Sequence, residues 1–202
     1  LMKQRLKLSI TLLVIFIAGL SFGQTGKAVT EYLGIPGPVV INNGSFSLAW
    51  SAHPSPAYYK QEYIGAKDNL ERFKKMVLVE VLTGDARPAD LAKAKMAELD
   101  QLKKSNPIVN YEVFQKNGEI LLDFLLSENS ADGKKIIILE RNVYRYRSFT
   151  DKAGKKGVML FGVSERSYGN DADAFLSSLK KNKAVLLNTV AGFSIPEVSL
   201  KN

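Results

Sequence analysis

The chain of 202 residues contains no cysteine and a single histidine, His53. The absence of cysteine excludes disulfide bonds, thiol nucleophiles, thiolate metal sites and a lipidated N-terminal cysteine. One histidine without cysteine cannot make the usual zinc ligand sets, and carboxylates alone suit only calcium or magnesium. We therefore predict no metal site, no cofactor and no catalytic residue. The hydrophobic core alone must hold the domain together.

Long apolar runs are also scarce, and the longest uncharged one lies near the start of the chain, at residues 8–20. It follows three basic residues and precedes Ser21 and Gly23, the small residues that signal peptidases favour before a cut. A membrane span needs about 20 mostly apolar residues. We therefore predict that residues 1–23 are a cleaved signal peptide of a bacterial protein. The mature protein would be periplasmic or secreted and would have no stable membrane span.

Strong net charge is missing once the signal peptide is set aside. Three of the 28 Lys and Arg residues lie within residues 1–23, which leaves 25 against 20 acidic residues and a net charge of +5. This charge is spread along the mature chain of 179 residues. We therefore exclude nucleic acid as a partner and expect at most a weak attraction to anionic polymers of the cell envelope.

Turn residues divide the mature chain into strands and helices. Asn42-Asn43-Gly44 and Asn117-Gly118 are hairpin turns, and Pro88 favours the first turn of a helix. We predict a loose leader at 24–37, a single domain at 38–195 and a tail at 196–202. Within the domain we predict strands at 39–41, 45–51, 57–64, 109–115, 119–127, 136–147 and 158–168, and helices at 68–82, from 88 to about 105 and from 171 onward.

The order of these elements predicts the fold class. Strands joined by short turns must be antiparallel neighbours, and helices segregated from an antiparallel sheet make an α+β domain. The continuous apolar run at 136–139 indicates a strand that is covered on both faces. We therefore predict an antiparallel sheet with helices on both faces, an α/β/α sandwich.

Two strand sequences carry a family resemblance: Phe-Ser-Leu-Ala-Trp at 46–50 and Tyr-Lys-Gln-Glu-Tyr at 59–63. With the late three-strand meander and the closing helix, they resemble the PsbP-like family, the extrinsic subunits of photosystem II and their bacterial relatives. The resemblance covers most of residues 38–193 and implies a non-enzymatic assembly or binding module. It transfers no functional residue, since no ligand motif matches. The strand sequences fit an exported bacterial family outside that group equally well.

His53 and the aromatic residues around it form the first candidate ligand site. A histidine in a loop between Trp50 and Pro54 suits acid–base chemistry or ligand contact, but we favour a turn histidine without such a role. Trp50, Tyr58, Tyr59 and Tyr63 could stack on a sugar or a peptide, although aromatic residues at strand spacing are more often core. Alternation places Trp50 on one face with Phe46 and Leu48.

The second candidate site is a group of arginines on the two last predicted strands. An arginine fork can bind an anion or a carboxylate bidentately. The alternative is cross-strand ion pairing, which we favour, with Arg141 opposite Glu165 and Arg166 opposite Glu140. The ligand-binding candidates are thus Arg141, Arg145, Arg147, Arg166, Trp50, His53 and Tyr59.

Together these patterns predict an exported, non-catalytic binding or assembly module of the bacterial envelope. Its partner would be another envelope protein or an anionic envelope component. One alternative is a small periplasmic hydrolase that uses His53 with a carboxylate such as Glu62 or Glu140. Another is an envelope subunit that keeps the N-terminal segment as a membrane tether.

Overall fold

The computed structural model describes residues 29–201, so the predicted signal peptide lies outside the described residues. Within that range the chain forms eight strands and two α-helices. In chain order they are β1 (Val39–Ile41), β2 (Gly44–Ser55), β3 (Tyr58–Gly65), β4 (Lys75–Thr83), α1 (Pro88–Lys103), β5 (Asn110–Lys116), β6 (Glu119–Asn129), β7 (Ile136–Thr150), β8 (Lys156–Tyr168) and α2 (Ala172–Gly192).

All eight strands belong to one antiparallel sheet with the order β1-β2-β3-β4-β8-β7-β6-β5. Two four-stranded meanders, β1–β4 and β5–β8, meet where β4 pairs with β8. Asn42 and Asn43 in the first meander, and Asn117 and Gly118 in the second, have positive φ, as two-residue type I′ hairpin loops require. The hairpin turns predicted at these positions are confirmed.

The helix predicted at 68–82 is wrong, because this segment contains strand β4. Val77, Val79 and Val81 favour a strand, and β4 lies in the middle of the sheet with both faces largely buried. Burial on both sides removes the apolar–polar alternation that would have revealed the strand. Asp68 and Asn69 do not cap a helix; their side chains accept backbone N–H bonds within the turn that precedes β4.

The predicted α/β/α sandwich is therefore also wrong. A curled eight-stranded antiparallel sheet makes up most of the domain, and the described residues form only two helices. α1 lies against β5, β6 and β7 on one face, and α2 lies against β7 and β8 on the other. Without the expected helix at 68–82, α1 is the sole helix on its face and leaves part of that face uncovered.

The face that carries α2, called the α2 face, holds the larger core. Leu186 and Val190 of α2 pack with Val143, Phe161 and Val163 of the central strands. The segments before β1 and after α2 complete this core: Leu33 and Val198 are buried, and their segments are joined by backbone bonds from Ser199 N to Leu33 O and from Lys201 N to Tyr32 O.

The opposite face, called the α1 face, holds a second core around α1. Ala92 and Leu99 of α1 pack on Leu122 and Phe124 of β6 and on Tyr146 of β7. The α1 start predicted at Pro88 is confirmed, and the Asp90 carboxylate accepts the backbone N–H of Arg87 at that end of the helix. On β2 and β3 the same face remains partly exposed.

Candidate functional site

The exposed part of the α1 face brings five side chains from three strands together, and we call this set the Trp50 surface. The strand register places Trp50 opposite Glu62 and Lys60 opposite Glu80, which fixes all four on one face. Tyr58 belongs to the same face, two residues before Lys60. The Trp50 surface comprises Trp50, Tyr58, Lys60, Glu62 and Glu80.

The charges of the Trp50 surface are paired with one another. The Lys60 ammonium lies 2.9 Å from Glu62 Oε1 and 3.6 Å from Glu80 Oε1, and 5.9 Å from the centre of the Trp50 ring. Burial opposes a charged ammonium, but the two carboxylates outweigh burial, and the pKa of Lys60 is raised. Lys60 is therefore a fixed positive charge at neutral pH.

Tyrosines line the boundary between the Trp50 surface and the region that α1 covers. Burial raises the pKa of Tyr58, and the nearby charge of Glu80 raises it further. Burial and the same glutamate also raise the pKa values of Tyr144 and Tyr146. The three phenols are thus neutral, and the chemistry they offer a ligand is hydrogen bonding and ring contact.

Tyr144 fits its place because residue 162 is glycine. A Cβ at Gly162 would lie 2.8 Å from the Tyr144 ring and 3.0 Å from Leu78 Cγ. Tyr144 and Gly162 are paired across β7 and β8. The ring therefore lies over the bare backbone of β8, where it also meets Phe124 edge-on at a centroid distance of 4.9 Å.

Trp50 lies on the α1 face and not, as the alternation predicts, on one face with Phe46 and Leu48. A register shift between Leu48 and Trp50 inserts one residue, Ala49, into β2. A bulge of this kind reverses the face of every residue that follows it. Leu48 therefore packs toward the α2-face core, while Trp50 is 37% exposed on the other side of the sheet.

His53 and Tyr59 lie together on the α2 face. The His53 ring stacks on Tyr59 with centroids 3.9 Å apart and planes 10° apart, and its Nδ1 lies 3.0 Å from the carbonyl oxygen of Tyr58. Tyr59 is fully buried beneath the His53 ring. Beside them lies an open depression of about 520 Å³, lined by His53, Pro54, Ser55, Pro56, Tyr59 and Lys155.

Arg141 is a buried structural residue. Its guanidinium donates to both carboxylate oxygens of Asp123 at 3.0 and 2.8 Å, and to the carbonyl oxygen of Lys183 at 2.6 Å. Lys183 follows Asn182, where α2 departs from helical φ and ψ, so Arg141 satisfies a carbonyl at this kink. Arg141 does lie opposite Glu165 in the ladder, as predicted, but its ion-pair partner is Asp123 of β6.

Arg145 holds the other end of α2. Its Nε donates to Glu119 at 2.6 Å, and its Nη1 donates to the carbonyl oxygen of Phe193, the residue after the helix, at 3.0 Å. Arg147 shares Glu119 at 3.8 Å and is more exposed. Arg141 and Arg145 therefore both donate hydrogen bonds to backbone carbonyl oxygens of the α2 segment, one at its kink and one at its end. They can do so because β7 runs beneath α2 and presents both residues on the α2 face.

Arg166 lies on the α1 face, away from the other three arginines. It forms an ion pair with Glu140, and the two residues are opposite each other across β7 and β8, so this predicted pair is confirmed. The guanidinium also lies over the Phe73 ring, 4.1 Å from its centre. The four arginine candidates are thus divided between two faces and do not converge on one ligand.

Sequence reasoning missed Lys60 and Glu80 as members of a common surface. Glu80 lies in the segment that was predicted to be a helix, so no pattern placed it opposite Lys60. The available signal was the alternation of Lys60 and Glu62 with buried Tyr59, Gln61 and Tyr63 along β3. This alternation indicated that one face of β3 is accessible, but not which side chains of β2 and β4 lie beside it.

The geometry of the described residues limits which cofactors they could hold. Within residues 29–201 no three His, Asp or Glu side chains are arranged to hold a metal ion. No helix in the same range is long and apolar enough to cross a membrane.

A protein-family model matches residues 33–195, a range that includes the whole sheet and both helices. The chain belongs to that family. No curated protein and no solved structure matches the chain. The resemblance to the PsbP-like family stays a prediction. The α/β/α sandwich that went with this resemblance is wrong, as the observed sheet shows.

Proposed function

We propose that this protein is an exported, non-catalytic binding or assembly module of the bacterial envelope, and that it contacts its partner through the Trp50 surface. The observation that supports this proposal best is the position of Trp50. It is a partly exposed tryptophan on the part of the α1 face that α1 leaves open, beside charges that are already paired.

A tryptophan in this setting suits a protein contact. Tryptophan and tyrosine are enriched at interfaces, where they bury a large area while the indole N–H or phenol O–H still finds a partner. The ion pairs of Lys60 with Glu62 and Glu80 surround Trp50 with charges that stay compensated when water is displaced. A partner that covers the Trp50 surface therefore meets charges that are partly compensated, and it needs a cation or a hydrogen-bond donor for the one net negative charge that remains.

The charges favour an envelope protein over an anionic envelope polymer as the partner. Arg141, Arg145 and Arg166 are engaged by Asp123, Glu119 and Glu140, which reduces their value as an anion site. The Trp50 surface itself carries two carboxylates and one ammonium group, a balance that does not attract polyanions. An anionic component stays the alternative that the experiment below distinguishes.

The hydrolase alternative receives less support. His53 stacks against Tyr59 on the α2 face, whereas Glu62 belongs to the opposite face and is paired with Lys60. Glu140 lies on β7 and pairs with Arg166. Neither carboxylate lines the depression beside His53, and a general base must come within hydrogen-bonding reach of its partner.

Export rests on the basic start, apolar stretch and small residues of the first 23 positions. N-terminal sequencing of the protein from its native host tests this part of the proposal. We expect the mature chain to begin at Gln24. Recovery of an uncut chain in the membrane fraction would contradict cleavage and favour the tethered alternative.

Cross-linked pull-down from envelope extracts, followed by mass spectrometry and rebinding of the purified candidate, tests the contact surface. We expect Trp50→Ala to weaken rebinding by at least about tenfold, the scale of an interface hot spot. Ile137→Ala is the matched control. Ile137, like Trp50, is an exposed apolar residue, but it lies on β7, four strands away from β2. Equal losses in both variants, or capture of an anionic polymer alone, would contradict the proposed surface.

A further inference from the structure

The two edges of the sheet differ in how they are protected. At one edge β1 has only three residues, so most of β2 is itself at the edge. β2 has two register shifts and contains Pro54. Short strands, bulges and proline are the usual means by which proteins prevent another strand from pairing at an edge. At the other edge β5 has seven residues, no proline and an unshifted register with β6. This edge is open.

The side chains of β5 are unusually exposed for a strand. All its residues except Tyr111 are exposed, and the apolar pair Val113 and Phe114 is 48% and 41% exposed on opposite faces of the sheet. Exposed apolar residues on a free edge strand are the features that favour pairing with another strand. The sequence at Asn110–Lys116 contains just one residue of each charge, Glu112 and Lys116. Glu112 forms an ion pair with Lys183 of α2, but both side chains are about half exposed, so Glu112 can contact a second cation from outside.

The hairpin between β5 and β6 determines which backbone groups of β5 are free. Lys116 and Glu119 flank the type I′ loop and form the hydrogen-bonded pair that closes it. Along an antiparallel ladder such pairs alternate with non-bonded ones. Phe114 therefore directs its N–H and C=O toward β6, and Val113 and Gln115 direct theirs outward to the open edge.

We propose that β5 pairs with β5 of a second copy of this chain, antiparallel and centred on Phe114, so that the two sheets become one. In this register Val113 and Gln115 exchange backbone hydrogen bonds across the new ladder. Phe114 meets Phe114 of the second copy at a non-bonded position, where side chains approach most closely. Glu112 of each copy lies opposite Lys116 of the other.

Charge complementarity selects both the occupant and the register. Centring the pair on Glu112 would place two carboxylates opposite each other. Centring it on Val113 or Gln115 would not place Glu112 of one copy opposite Lys116 of the other. Only the register centred on Phe114 forms two opposite-charge pairs, and it forms them by two-fold symmetry, as homodimers do. Like charges opposite each other across a ladder are destabilising.

A charge-exchange experiment on the purified protein tests this arrangement by sedimentation over a concentration series. We expect the unaltered protein to dimerise and Lys116→Glu or Glu112→Lys alone to weaken dimerisation by about tenfold or more. An equimolar mixture of the two variants should restore dimers, because each copy then supplies the charge that the other lacks. A monomeric unaltered protein, or variants that dimerise as well as it does, would overturn the proposal.

A cysteine cross-link tests the register independently. The chain has no cysteine, so any disulfide in a single-cysteine variant must join two copies. We expect Phe114→Cys to form a covalent dimer under mild oxidation and Val185→Cys, a control at an exposed position of α2, to stay monomeric on a denaturing gel. Equal cross-linking of the two variants would overturn self-pairing. A Phe114→Cys variant that stays monomeric and binds a strand of an envelope protein would overturn it as well.

Discussion

The two faces of the sheet use the same ion-pair chemistry under opposite conditions. On the α2 face, the side chains of Arg141 and Asp123 are 3% and 5% exposed. On the Trp50 surface, the side chains of Lys60 and Glu80 are 28% and 22% exposed. A buried pair is costly to break because one charge remains without solvent, whereas water can replace a partly exposed partner. The Arg141–Asp123 pair therefore holds the fold, and we propose that the Trp50-surface charges take part in recognition.

The backbone contacts extend this difference. Arg141 and Arg145 both donate to carbonyl oxygens of the α2 segment, one at the kink and one past the last turn. Each guanidinium thus joins β6, β7 and α2 into one unit. Lys60 contacts only strand side chains on its own face of the sheet, at Glu62, Glu80 and the Trp50 ring. A change there should leave the packing of the helices intact.

The largest effect is expected from Asp123→Asn. This substitution keeps the shape of the side chain but leaves the Arg141 charge buried without a counter-charge, and we expect a loss of about 3–5 kcal/mol in the free energy of unfolding. Urea denaturation measures it. The double substitution Asp123→Leu with Arg141→Met should recover most of the loss, since it removes both charges. A loss below about 1 kcal/mol in the single variant would show that burial does not distinguish the two faces.

Gly162→Ala should have the next largest effect, because the added Cβ would press on Tyr144 and Leu78 of the α1 face. Overpacking of this kind costs about 1–3 kcal/mol. Thermal unfolding of Gly162→Ala with and without Tyr144→Leu separates the cause. If the smaller side chain at position 144 does not reduce the cost, the contact between the Tyr144 ring and β8 is not what requires glycine.

Alkaline pH should destabilise the protein through its buried tyrosines. The folded pKa of Tyr146 is raised by burial, so its contribution is fully present below the unfolded value near 10 and is lost as pH rises above it. The difference in unfolding free energy between the unaltered protein and Tyr146→Phe should shrink by about 1.4 kcal/mol per pH unit above pH 10. A difference that stays constant with pH would contradict the raised pKa.

Glu80→Gln should have the smallest effect on stability, about 1 kcal/mol or less, because Glu80 is partly exposed and Lys60 keeps its ion pair with Glu62. It is the matched counterpart of Asp123→Asn, the same carboxylate-to-amide change on the other face. Urea denaturation of both variants under one set of conditions gives the ratio directly. Equal losses would remove the distinction between a structural and a recognition surface.

Local signals in the sequence sufficed for the hairpins and for much of the strand register. The turns at Asn42 and Asn117 and the pairing of Glu140 with Arg166 followed from loop residues and short connections, which leave few alternatives. The strand at Lys75–Thr83 was not recognised, because a central strand buried on both faces has no alternation to detect. The error in the fold class followed from that segment and from the apolar run at 136–139, which was wrongly predicted to be covered on both faces, since Ile137 is 45% exposed.

The candidate site was less predictable, because it depends on contacts between distant parts of the chain. The face of Trp50 depends on a bulge at Ala49 that no residue type announces. The partner of Arg141 is diagonal in the ladder, since Asp123 lies opposite Val143. A pattern read along one hairpin predicts direct neighbours and cannot choose among diagonal ones.

The central claim is that the Trp50 surface contacts the partner, and Trp50 is the sole tryptophan of the chain, so its fluorescence reports on that surface alone. The most direct test is acrylamide quenching of this fluorescence in the free protein and in its complex with the purified partner. Any tryptophan of the partner must be replaced, or its fluorescence subtracted, so that the signal comes from Trp50. We expect ready quenching in the free protein and clear protection in the complex. Equal quenching in the two states would show that the partner binds elsewhere and would contradict the account.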